Sequence, residues 1–83
     1  MSKLEIITMH ISYDKINEFE SLLTALKKEK AKFKIYRNSE IRNEFSIHVE
    51  MINEDYNESI DILNLVRELN FFGIISHSVF VSF

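Results

Sequence analysis

The hydrophobic pattern of this chain switches between a period of two and a period near 3.6, and the order of those switches limits the folds open to it more than any motif does. Leu4 to Ser12 alternates, with Ile7, Met9 and Ile11 on one side and Ile6, Thr8 and His10 on the other, as a strand requires. From Asp14 to Lys30 the apolar residues Ile16, Phe19, Leu22, Leu23 and Leu26 recur at helical spacing, with Ser12 or Asp14 available as N-cap. Alternation returns at Phe33 and Ile35. After a polar stretch, Arg37 to Asn43, it resumes through Phe45, Ile47, Val49 and Met51, predicting a hairpin without an Asn-Gly or Asp-Gly turn. A second helix is expected from a cap at Asn53, with a buried stripe of Ile60, Leu63, Val66 and Leu69 and a left-handed stop at Gly73, the chain's single glycine. Ile74 to Phe83 then alternates to the end.

Strand, helix, strand, strand, helix, strand predicts an α+β class and a ferredoxin-like βαββαβ sandwich. This is a four-stranded antiparallel sheet in the order 4-1-3-2 with two helices on one face. The 83 residues make one domain, 1–83. Seven Phe and three Tyr supply a core, yet one of this size yields only about 3–5 kcal/mol of net stability. With no Cys there is no disulfide to supplement it, so dimerisation is expected to do so. The lack of Cys also removes thiolate chemistry and fits a reducing, cytoplasmic setting. No segment approaches the roughly 20 apolar residues of a membrane span.

If the apolar parity faces the helices, the pleat sends Leu4, Ile6, Thr8, His10, Tyr36, Ser46, His48, Glu50, Ile74, Ser78 and Phe80 to the helix-free face. Tyr36 and Phe80 with Leu4, Ile6 and Ile74 could together exceed the few hundred Å² a monomer usually exposes; a homodimer closing this face is expected, the alternative being a partly apolar but solvated face. Its interface is Leu4, Ile6, Thr8, His10, Tyr36, His48, Ile74 and Phe80.

Net charge is −3, which gives no general attraction for polyanions. Seven of the ten basic residues do cluster between Lys27 and Arg42. Four of them surround the C-terminus of the first helix, where the helix dipole favours cations. They are matched by Glu54, Asp55, Glu58 and Asp61 at the start of the second, so nucleic acid is not expected as a partner. Gly-rich phosphate loops, His-Glu-x-x-His and Gly-x-Ser-x-Gly are all missing from the sequence. His10 and His48 become diagonal neighbours if the first and third strands pair near Thr8 and His48. With Glu50 they then offer a conceivable metal or acid–base cluster, although two surface or interface histidines are the simpler reading. His77 falls on the helix-facing parity, as a hydrogen-bonded boundary residue or as a group lining a pocket between sheet and helices.

The segments Ile-Asn-Glu-Phe-Glu-Ser-Leu-Leu from Ile16, Ile-Tyr-Arg-Asn from Ile35 and Asn-Glu-Phe-Ser-Ile-His-Val-Glu from Asn43 resemble, in order and spacing, the antibiotic biosynthesis monooxygenase or quinol monooxygenase family. The resemblance implies a dimeric α/β barrel and oxygenation of a quinol or other aromatic substrate without metal or cofactor, in a pocket between sheet and helices. The chain departs from the family pattern at a usual Trp near the end of the third strand, where Met51 stands. It also lacks a His in the second helix and a Gly before the second strand. Under this resemblance His77 is the catalytic candidate, and Tyr36 and Tyr56 are the pocket candidates. Three functions stay open: a cofactor-independent oxygenase, a dimeric small-ligand-binding or regulatory module, and an interaction domain that docks through its sheet.

Overall fold

A computed structural model describes residues 2–29, 32–51 and 56–83, with side chains described for all of these except 29 and 56–61. The strands are β1 (Lys3–Ile11), β2 (Phe33–Arg37), β3 (Glu44–Met51) and β4 (Gly73–Val81). The helices are α1 (Ile16–Glu29), entered through a 3-10 turn at Tyr13–Lys15, and α2 (Tyr56–Leu69). The result is an α+β fold compatible with the ferredoxin-like arrangement. Its one sheet has the order β2-β3-β1-β4 and every neighbouring pair is antiparallel.

Register decides which residues share a face, because side chains alternate along each strand. Ile7 lies opposite Ile47 on β3 and opposite His77 on β4, and Met9 lies opposite Phe45 and Ile75. Ile7, Met9, Ile11, Phe45, Ile47, Val49 and Met51 are buried together with Ile16, Phe19, Leu23 and Leu26 of α1 and Ile62, Leu65 and Leu69 of α2. Both helices therefore cover the same face. Phe19 anchors the core, its ring 4.9 Å from that of Phe45 and 5.4 Å from that of Phe72, in the tilted geometries that aromatic pairs prefer.

Three expectations need correction. Gly73 does not adopt a left-handed conformation, since no glycine has a positive φ. It opens β4, where an added Cβ would lie 2.0 Å from the carbonyl oxygen of His10, so glycine is required by close strand approach and not by a helix stop. The buried stripe of α2 is Ile62, Leu65 and Leu69 with Val66 packed against it, so Leu69 and Val66 lie inward as expected whereas Leu63 is 51% exposed and Ile62 and Leu65 take the inward positions. Val79 and Val81 have the helix-facing parity, yet they are 50% and 61% exposed, as fits an edge strand with no neighbour on its outer side. Asn53, Glu54 and Asp55 lie outside the described residues, and so do the side chains of Glu58, Ile60 and Asp61.

Local polar contacts close the connections. In the β2–β3 turn the Asn38 side-chain oxygen accepts hydrogen bonds from the backbone N–H groups of Glu40 and Ile41, at 2.8 and 3.0 Å. An Asx turn thus does what Asn-Gly does in tighter hairpins. Lys15 Nζ donates to the carbonyl of Phe71 at 2.9 Å and lies 4.2 Å from the centre of its ring, tying the start of α1 to the end of α2.

Candidate functional site

The residues singled out in the sequence fall on opposite faces of the sheet. On the helix-facing side, Glu5 of β1 is 5% exposed, the only charged residue among the buried ones described. Its Oε1 lies 2.9 Å from His77 Nε2, while Oε2 has no hydrogen-bond partner and stands 3.9 Å from Lys3 Nζ. A carboxylate this buried has to be matched by a donor or a counter-charge, and His77 is the nearest one. The couple joins an acceptor to an imidazole, a combination able to hold or move a proton.

Tyr36 is on the other face. It is 51% exposed, its ring 5.0 Å from that of His48 in an edge-on contact. His48 Nε2 lies 2.8 Å from Ser46 Oγ. Around them Leu4, Lys32, Lys34 and Glu50 complete a hollow of about 190 Å³. The floor is aromatic and the rim is charged, because β2 and β3 send Lys34, Tyr36, His48 and Glu50 to this face by alternation.

His77 and Tyr36 therefore do not share a pocket, and the Tyr56 side chain lies outside the described residues. His10 and His48 are not brought together either: His48 lies opposite Ile6, and His10 lies opposite Glu44. The four-residue offset along β1 removes the proposed diagonal contact, and no cluster of three metal-ligating side chains occurs among the described residues. A second hollow, of about 270 Å³, lies on the helical side between α1 and β2, lined by Leu23, Lys27, Ile35 and Phe45 beside the Glu20–Arg37 ion pair. It does not include His77.

The rest of the helix-free face is only partly polar. Ile74 and Phe80 are 76% and 56% exposed, Leu4, Ile6, Thr8 and His48 are half-buried, and His10 is exposed. Glu5 escaped the sequence reading, although a signal was present. It shares the parity of Ile7, Met9 and Ile11, so an acidic residue was bound for the core side, and His77 was bound for the same side one strand away. No protein-family model matches the chain, and no curated protein matches it. Among the described residues no helix is long and apolar enough to cross a membrane.

Proposed function

We propose that the chain acts as a homodimeric α/β barrel that binds a small aromatic ligand between its facing sheets. The observation that carries this reading is the aromatic-floored hollow at Tyr36 and His48 within a sheet face that no helix covers. A ring stacks on Tyr36, and its hydroxyl or carbonyl substituents meet His48, Lys34 and Glu50 at the rim. Apposition of two such faces places Leu4, Ile6, Ile74 and Phe80 in contact and shuts the hollow off from water, which strengthens each polar contact inside. The test is calorimetric titration with 1,4-naphthohydroquinone under anaerobic conditions. Micromolar binding that falls at least tenfold in Tyr36→Ala and His48→Ala is expected, and its absence from the wild type overturns the ligand.

The Glu5–His77 couple favours a second reading, cofactor-independent oxygenation of a quinol. Loss of a phenolic proton leaves an electron-rich quinolate that reacts with dioxygen directly, one oxygen atom entering the ring to give a hydroxyquinone and the other leaving as water with the quinol's own electrons and protons. An imidazole backed by a buried carboxylate is a fitting acceptor for the first proton. Oxygen uptake with the same quinol decides it. His77→Ala is expected to lower turnover at least tenfold, and an active enzyme indifferent to that change removes His77 from the chemistry.

A further inference from the structure

β4 is an edge strand, and the direction of its unused backbone groups can be read from its two ends. The N–H of Ser12 donates to the carbonyl of Phe72, and the N–H of Ser82 donates to the carbonyl of Ser2, both at 2.9 Å. Between these bonds the register runs unbroken, from Lys3 opposite Val81 to Ile11 opposite Gly73. In an antiparallel ladder the N–H and C=O of one residue point to the same side and alternate from residue to residue. The even-numbered residues of β4 therefore engage β1. Gly73, Ile75, His77, Val79 and Val81 direct theirs to the open edge, where no described residue meets them.

Edges of this kind are normally blunted by charge, proline, a bulge or shortness. The other edge of the sheet follows that rule, with β2 only five residues long and carrying Lys34 and Arg37. β4 does not: it is nine residues long, and 73–83 contain no Lys, Arg, Asp, Glu or Pro. Ile74, Val79, Phe80 and Val81, on both faces of the strand, are each at least half exposed.

We propose that β4 pairs antiparallel with β4 of a second copy about a twofold axis through His77, joining two sheets into one. The chemistry of the strand names the occupant, because Gly-Ile-Ile-Ser-His-Ser-Val-Phe-Val is close to a palindrome about His77. The pairing sets Ile74 against the partner's Phe80, Ile75 against the partner's Val79 and Ser76 against the partner's Ser78. Apolar residues thus meet apolar ones and hydroxyls meet hydroxyls. Odd residues face odd residues in this register, so the groups left open at the edge are the ones that exchange hydrogen bonds. A charged peptide finds no counter-charge there. The axis is normal to the sheet, so this contact leaves the helix-free face uncovered and stands apart from the ligand-binding reading. If that face also pairs about an axis that crosses this one, the two axes are perpendicular and the assembly closes as a tetramer.

Sedimentation equilibrium of the full chain separates the two contacts. Val79→Pro removes one outward N–H at an edge position that tolerates proline, and Val79→Lys adds an edge charge without changing the backbone. Each is expected to weaken the edge association at least tenfold, while Ile6→Glu, aimed at the helix-free face, leaves a dimer. Register is tested in this Cys-free chain by mixing Ser76→Cys with Ser78→Cys under mild oxidation. Those residues form a non-hydrogen-bonded pair with Cα atoms about 4.5 Å apart, within disulfide reach, so the crossed dimer is expected over either like pair. A monomeric wild type overturns the proposal. So does an oligomer that survives both Val79 variants but is lost in Ile6→Glu, an outcome that leaves the face pairing intact. Like pairs equal to crossed pairs overturn the His77-centred register.

Discussion

The Glu5 carboxylate and the His77 imidazole meet 2.9 Å apart although neither lies opposite the other: Glu5 faces Val79 and His77 faces Ile7, so the contact is diagonal across β1 and β4. Long side chains bridge such diagonals on one sheet face, and here the bridge joins the first and last strands of the chain. It also gives the carboxylate, only 5% exposed, its one hydrogen-bond partner among the described residues.

Removing the imidazole should therefore cost more than removing both groups. His77→Ala leaves Glu5 buried with only Lys3 at a distance, and a loss of about 3 kcal/mol is expected. The double variant Glu5→Met, His77→Ala should recover at least about 1 kcal/mol of that loss, because no unpaired charge remains. Urea denaturation of the wild type, Glu5→Met, His77→Ala and the double variant measures the coupling, and additive effects would show that the contact has no energetic consequence.

Gly73→Ala should destabilise the fold by about 2 kcal/mol or more, since its Cβ would press on the His10 carbonyl and the strands must part to admit it. Ser76→Ala, on the same strand and exposed, is the control and should stay within about 0.5 kcal/mol of wild type. Equal stabilities for the two variants would mean that β4 has slack at its start.

The orientation of α2 predicts a contrast between neighbours. Ile62→Ala opens a cavity in the core and should cost about 2–4 kcal/mol, while Leu63→Ala should cost less than about 1 kcal/mol. Thermal melts are enough to tell them apart, and the reverse order would place the other face of the helix inward.

The strands were legible because a period of two leaves no choice of face once Ile7, Met9 and Ile11 are taken as inward. The outward placement of Leu4, Tyr36, His48 and Phe80 then follows from register. α2 was harder. Ile60, Ile62, Leu63, Leu65 and Val66 crowd almost every angle of the helix, so its composition did not single out one stripe, and only packing selects Ile62 over Leu63. Gly73 has two physical uses, conformational freedom and lack of a Cβ, and the sequence does not say which is needed. The Glu5–His77 contact needed pairing across 72 positions, although the shared parity of both residues marked them for the same side.

The pairing of β1 with β4 has a consequence for how the fold is reached. β1 is a central strand, but one of its two neighbours is β4, which begins at Gly73 long after β1 ends at Ile11, so Lys3 pairs with Val81 only across that separation. Strands β1, β3 and β2 can pair first, but the sheet is not complete until β4 is added beside β1. β4 closes the sheet only by crossing from β3 past β1 to the free edge of β1, a non-local pairing whose loop entropy must be met before the final ladder forms. Until then β1 has a bare edge of its own, and the strand that eventually covers it is the one whose far side is left open in the finished monomer.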